Sequence, residues 1–157
     1  MINCSFENDN KNSLRHVVVD MIVVKDNQIL LVKRAPQLTN GNKYALIGGF
    51  MERNETSKQA ALREIMEETG YKAEIISLFR IVDNPDRRGE DRQNISFVYL
   101  VKPLEKIGAP DHEVKELKWF DLDKLPKPEE FAFDHLDNIN LYLQHLKNPF
   151  QLPILGK

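Results

Sequence analysis

Glu64, Glu67 and Glu68 stand three and four residues apart in TSKQAALREIMEETGY, the stretch from Thr56 to Tyr71. On an α-helix, with about 3.6 residues per turn, that spacing stacks three carboxylates within one arc. Like charges so placed cost a few tenths of a kcal/mol per pair in an isolated helix, and Arg63 alone does not neutralise them. The arrangement calls for a cation. Oxygen ligands gathered without His or Cys suit a hard ion, Mg²⁺ or Mn²⁺, better than zinc. The competing reading is a solvated acidic face, the ordinary fate of a Glu-Glu pair on a helix.

The helix that must carry them has legible ends. Thr56 to Gln59 has the T-x-x-Q form of a capping box, and Gly70 suits a C-terminal stop. Ala61, Leu62, Ile65 and Thr69 fall mostly on the other side, which is therefore expected to pack. Upstream, Tyr44 to Ile47 reads as a short strand delivering the chain into Gly48 and Gly49. There the backbone can turn sharply, bringing a carbonyl or amide near a metal or phosphate.

From Gly48 to Tyr71 the sequence GGFMERNETSKQAALREIMEETGY, with Gly49, Glu55, Arg63, Glu64, Ile65, Glu67, Glu68 and Gly70 in register, resembles the Nudix box at every defined position. Tyr71 stands where that family more often has an aliphatic residue. The resemblance, to the MutT-like Nudix hydrolases, implies an α/β fold, an α/β/α sandwich with a mixed β-sheet. It also implies cleavage of a nucleoside diphosphate linked to another moiety, with Mg²⁺ (or Mn²⁺) and water. By match to the motif, Glu67 and Glu68 are expected as primary metal ligands, and Glu64 as a ligand or the base that takes a proton from water. Arg63 is expected to orient a neighbouring glutamate, Glu55 to make a supporting contact, and Gly48 to offer its carbonyl to the metal. A further acidic ligand is expected from a later loop: Glu113 in DHEVKELKWF, with Glu116 as the substitute. His112 beside it is read as a solvated histidine.

The rest of the chain supplies the scaffold. At 157 residues it fits one domain with a single core, residues 1–15 and 148–157 being peripheral. Twenty-two basic against 24 acidic residues leave a formal charge of −2, giving no global field for nucleic acid or an anionic membrane. Cys4 is the only cysteine, so no intrachain disulfide forms. The first fifteen residues are too polar for a signal peptide, and no apolar run approaches the ~20 residues of a membrane helix, so a cytoplasmic location is expected.

In order, His16 to Val24 and ILLVK read as strands joined by a turn at Asp26 and Asn27. Asp20 interrupts the first of them and is read as facing solvent or a backbone partner in preference to the alternative, a buried functional acid. Lys72 to Val82 and NISFVYLV read as further strands, Pro103 to Asp111 as a connector, Lys115 to Phe120 as a strand, and residues 121–130 as a short turn broken by prolines. Phe131 to Lys147, with Phe133, Leu136, Ile139, Leu143 and Leu146 at helical spacing, reads as a helix covering the sheet. The apolar tail after Asn148 is expected to dock back or to meet a second subunit, which makes a homodimer one expectation.

The substrate is expected to be read by loops. Pro85 stands fifteen residues after Gly70, as in relatives resembling ADP-ribose pyrophosphatases. Candidate substrate contacts are Arg34, Asn84, Arg87, Arg88 and Arg92, the guanidinium forks suiting phosphate or ribose. The favoured substrate is a small nucleotide such as ADP-ribose or a sugar nucleotide. The alternatives are an oxidised nucleoside triphosphate or a non-catalytic nucleotide-sensing role. An RNA 5′-end hydrolase requires a basic groove, and no basic cluster in the sequence reaches that density.

Overall fold

The computed structural model describes residues 2–86 and 93–156. Its centre is β3 (Val17–Lys25), a nine-residue strand from Val18 to Val23 with every side chain buried. Successive side chains of a strand point to opposite faces. Val19, Met21 and Val23 therefore join one apolar cluster and Ile22 another. Burial on both faces explains why this segment, Asp20 apart, is apolar at successive positions instead of alternating.

The strand turns back through Asp26 and Asn27, both at positive φ (49° and 61°), into β4 (Gln28–Arg34). Two such residues suit the tight hairpin turn whose twist matches the strands. The β3–β4 pairing covers only Val23 to Lys25, after which β4 diverges. Into the gap comes β6 (Ile47–Phe50), antiparallel to Val18–Met21 of β3, following the two-residue β5 (Tyr44–Ala45) on β4. This split between β3 and β4 sets Gly48 and Gly49 at the end of the sheet.

Helix α1 (Ser57–Thr69) packs Ala60, Ala61 and Ile65 on the Val19/Met21/Val23 face. After it come β7 (Tyr71–Val82) and β8 (Ile95–Lys106), antiparallel to each other, with β8 running parallel to β3. Then β9 (Val114–Asp121) adds to β4. Helix α2 (His135–Lys147) covers the opposite face, where Ile139 and Tyr142 meet Ile22, Ile29, Leu31 and Phe79. β10 (Ile154–Leu155) lies parallel to Arg80 and Ile81 of β7, so the tail docks back. The result is an eight-stranded mixed sheet between helices, the layered α/β arrangement expected. No helix among the described residues is long and apolar enough to cross a membrane.

Several expectations are corrected. Leu62 is 41% exposed and Ala60 fully buried, because the packed arc of α1 is centred nearer Ala61 and Ile65. Leu146 is likewise exposed. The expected connector at Pro103 begins as strand, because β8 stays paired with β7 as far as Lys106 opposite Tyr71. The last helix starts at His135, four residues late: Phe131 bridges to Tyr44, and Phe133 adopts a positive φ of 53° that no helix admits. Residues 2–14 form a separate hairpin, β1 (Ile2–Ser5) with β2 (Lys11–Leu14). Asp20, read as facing solvent or a backbone partner, is 6% exposed and bonded to side chains.

Candidate active site

The ends of α1 are built locally. Thr56 and Gln59 cap the first turn reciprocally, the Gln59 amide donating to Thr56 Oγ1 at 3.3 Å and the Thr56 amide to Gln59 Oε1 at 2.8 Å. At the other end Gly70 sits at φ 73° and donates its amide to Met66 O at 2.8 Å. The same glycine anchors the loop after β8: the amides of Ile107 and Gly108 donate to Gly70 O, and that of Asp111 donates to Glu67 O at 3.0 Å. Farther on, the Ala35 amide donates to Glu113 O at 2.9 Å, tying the loop to the end of β4. These backbone bonds carry Asp111 and Glu113 to the carboxylates of α1.

Arg63 is the hub of the motif. Its guanidinium donates to Glu55 Oε1 at 2.8 Å, Glu64 Oε1 at 2.7 Å, Glu67 Oε2 at 3.0 Å and the Phe50 carbonyl at 2.9 Å. The Glu55 bond is the main reason that the Arg63 pKa is raised, and reciprocally it lowers that of Glu55. Glu55 also accepts the Glu52 amide at 2.6 Å. The expected orienting role of Arg63 and supporting role of Glu55 thus correspond to direct contacts. Arg63 bonds Glu55 and two of the three helical glutamates, but a single positive charge spread over three carboxylates leaves the cluster net acidic, as the sequence implied.

Glu68 is the exception. It is 7% exposed, on the inward edge of the arc, and its Oε2 accepts the Gly48 amide at 3.0 Å. Gly48 presents its N–H, not its carbonyl, to this carboxylate. Burial pushes the Glu68 pKa up to about 8, the charges of Glu64 and Asp111 adding to the rise, while the Gly48 amide and Arg34 oppose it. Glu64 is raised too, chiefly by burial and then by Glu67 and Glu113 against the pull of Arg63. Glu67 at the outer edge has a half-exposed side chain.

The donor set fits a hard divalent cation. Glu68 feels the charges of Glu64 and Asp111, and Glu64 those of Glu67 and Glu113, with Glu64 and Glu68 withdrawn from water, and such a cluster is stabilised by positive charge. Among the described residues no three His, Cys, Asp or Glu side chains already converge as a cage. Arg63 engages Glu64 and Glu67, and the Gly48 amide engages Glu68. Glu64 and Glu67 would have to exchange part of that pairing for a metal.

Beside the carboxylates opens a cleft of about 370 Å³, lined among others by Arg34, Gly48, Gly49, Phe50, Glu113 and Phe133. Arg34 fixes its head by donating to Thr39 O at 2.9 Å and by lying 5.2 Å from the Phe133 ring centre. Asn84 accepts the Asp86 amide at 3.0 Å in its own exposed turn and does not line the cleft. Glu116 lies in β9 opposite Lys33 and is likewise outside the lining. Arg87, Arg88 and Arg92 fall outside the described residues. Sequence reasoning missed Asp111, whose signal was the acidic DHE triplet, and the buried Asp20, which was discounted because one acid in a strand is locally ambiguous.

Comparison with known proteins agrees with this geometry. The NUDIX domain model matches residues 14–141. The chain is 40% identical over 128 residues to an ADP-ribose pyrophosphatase of Methanocaldococcus jannaschii, covering 82% of this chain and 73% of that protein. It is 36% identical over 119 residues to the 8-oxo-dGTP diphosphatase of Escherichia coli, covering 73% and 89%. A crystal structure of a Nudix hydrolase from Nitrosomonas europaea superposes with a TM-score of 0.77 at 27% identity, over 99% of this chain and 94% of the other. The carboxylate helix, its glycine approach and the sheet that carries them are those of one family, and the chain belongs to it as a Nudix hydrolase.

Proposed function

We propose that the chain is a divalent-metal-dependent pyrophosphohydrolase of a nucleoside diphosphate derivative, with ADP-ribose as the first substrate. The observation that carries the metal dependence is Glu68, a buried carboxylate beside two further acids whose pKa is pushed up to about 8. Such a group is costly to ionise alone and favourable to ionise beside Mg²⁺ or Mn²⁺. Glu67, Glu68, Glu64 and Glu113 are the residues that would hold the ion, with the Gly48 backbone beside them and Asp111 as a further acid. The ion would supply charge neutralisation for the pyrophosphate and a lowered pKa for the attacking water.

The chain's own groups have separate tasks. Glu64, raised by burial, is suited to take a proton from water. Arg63 positions Glu64 and Glu67. Arg34 presents a guanidinium at the cleft, which suits a phosphate oxygen. ADP-ribose is favoured by the archaeal relative and by Pro85. Oxidised nucleoside triphosphates are the second reading, favoured by the bacterial relative.

The test is a panel of ADP-ribose, sugar nucleotides, dinucleoside polyphosphates and oxidised dNTPs, each with Mg²⁺, Mn²⁺ or EDTA. Released phosphate is scored after phosphatase treatment. Metal-stimulated cleavage of ADP-ribose, reduced by orders of magnitude in Glu67→Gln, is expected. Equal turnover in EDTA, or an unimpaired Glu67→Gln enzyme, would overturn the metal site, while nucleotide binding without turnover under any metal would favour a sensing role.

A further inference from the structure

The cleft does not end at the carboxylates; it passes over the glycines to the α2 face of the sheet. Gly48 lies opposite Asp20 in the β6–β3 ladder, and a Cβ at residue 48 would stand 3.0 Å from Asp20 Oδ1. The nearest obstacle to such a Cβ is the Val19 carbonyl at 2.1 Å, so the two strands meet closely here, and both Asp20 and Gly48 line the cleft.

Asp20 is held from two sides. The Ser96 hydroxyl donates to Oδ2, and His135 Nε2 stands 3.5 Å from Oδ1. His135 is itself fixed, because its Nδ1 accepts the Leu46 amide at 2.9 Å. A nitrogen that accepts carries no proton, so the ring is neutral with its hydrogen on Nε2, directed at Asp20. Both donors converge on a carboxylate that is 6% exposed, beside the apolar walls of Val18, Leu46 and Phe133. Burying such a group is costly, and an apolar residue of like size is often tolerated as well or better in a core. None of the three has a part in the reaction centre, which lies on the α1 side.

We propose that Asp20, positioned by His135 and Ser96, is a specificity-determining acceptor for a hydrogen-bond donor on the non-reacting part of the substrate. That donor is an N–H of the base or a hydroxyl of a sugar. The inference rests on the nucleoside diphosphate reading for the class of ligand alone. A group oriented by two donors reads the partner it was built for and penalises an analogue that lacks the donor. The apolar walls suit the flat face of a base or sugar beside it.

The test measures binding, separately from turnover, with methylene-bridged ADP-ribose, which is not hydrolysed. Three counterparts are compared: one without the adenine amino group, one without the adenosine 2′-hydroxyl, and one without the 2-hydroxyl of the terminal ribose. Asp20→Asn is expected to raise Kd for the parent about 10- to 100-fold, and to leave Kd for one of the three nearly unchanged. That one names the donor. Weakening of all four by the same factor, or of none, overturns the proposal, as does failure of the wild-type chain to bind the parent. His135→Gln is expected to lose the same selectivity, with no further loss when combined with Asp20→Asn; additive losses would overturn its positioning role. Should Asp20→Asn not fold, the selectivity of His135→Gln carries the same decision. Binding with intact selectivity but no metal-stimulated turnover counts against the hydrolase reading and supports the subsite.

Discussion

The Glu64 carboxylate fills the space that a side chain on Gly49 would need: a Cβ at residue 49 would lie 2.4 Å from Glu64 Oε1. The obstacle is the end of a flexible side chain, so Gly49→Ala is expected to fold. Its Glu64 would be displaced from Arg63. Turnover with Mg²⁺ should fall about 100-fold, the usual scale for a 1 Å misplacement, while Tm moves by only a few degrees. Wild-type kinetics in this variant would contradict the assigned place of Glu64.

Arg63→Lys tests the fork. Arginine reaches its four partners with the three nitrogens of one plane, Nε and Nη2 to Glu55, Nη2 also to the Phe50 carbonyl, and Nη1 to both Glu64 and Glu67. A lysine ammonium is a single point with no such spread. The variant is expected to keep its charge and lose about 10-fold or more in turnover by steady-state kinetics. Activity within twofold of wild type would show that charge alone suffices.

Glu68 makes the metal-free protein sensitive to pH. Its pKa rises in the folded chain from 4.5 to about 8, so between those values the folded state retains a proton that the unfolded state has released. The resulting stabilisation is complete below pH 4.5 and is lost as pH rises towards 8. In EDTA, the Tm of wild type should therefore fall relative to that of Glu68→Gln across this window. Mg²⁺ should reverse the loss at the upper end, because it binds the ionised form. Parallel Tm profiles in the two proteins would rule out this titration.

Gly70→Ala is expected to be destabilising for two reasons. Its φ of 73° disfavours a side chain, and a Cβ would stand 2.2 Å from Gly108 O, a backbone atom held by the bonds to Gly70 O. The expected loss is about 2 kcal/mol or more in denaturant unfolding. A loss below about 0.5 kcal/mol, the range of an ordinary surface change, would contradict the close packing of this loop.

Features set by neighbours along the chain were legible in advance. The capping box at Thr56 and Gln59, the stop at Gly70 and the turn at Asp26 and Asn27 depend on contacts a few residues long, and the structure reproduces each. The helix after Phe131 was anticipated but began late, because Phe131 was drawn into a bridge with Tyr44 that no local pattern records. Asp111 escaped notice for the same kind of reason: its place beside Glu68 depends on amide bonds from its loop to α1.

The amino-acid sequence by itself determined the carboxylate helix, its ends and the family to which it points, since helical periodicity and capping act within a few residues. Tertiary structure decided which glutamate is buried, which three acids Arg63 holds, and that Asp20 and His135 meet at the floor of the cleft. Burial and charge pairing depend on strands and loops far apart in the chain, as when the Leu46 amide finds a histidine 89 residues later, and no local pattern encodes such a meeting.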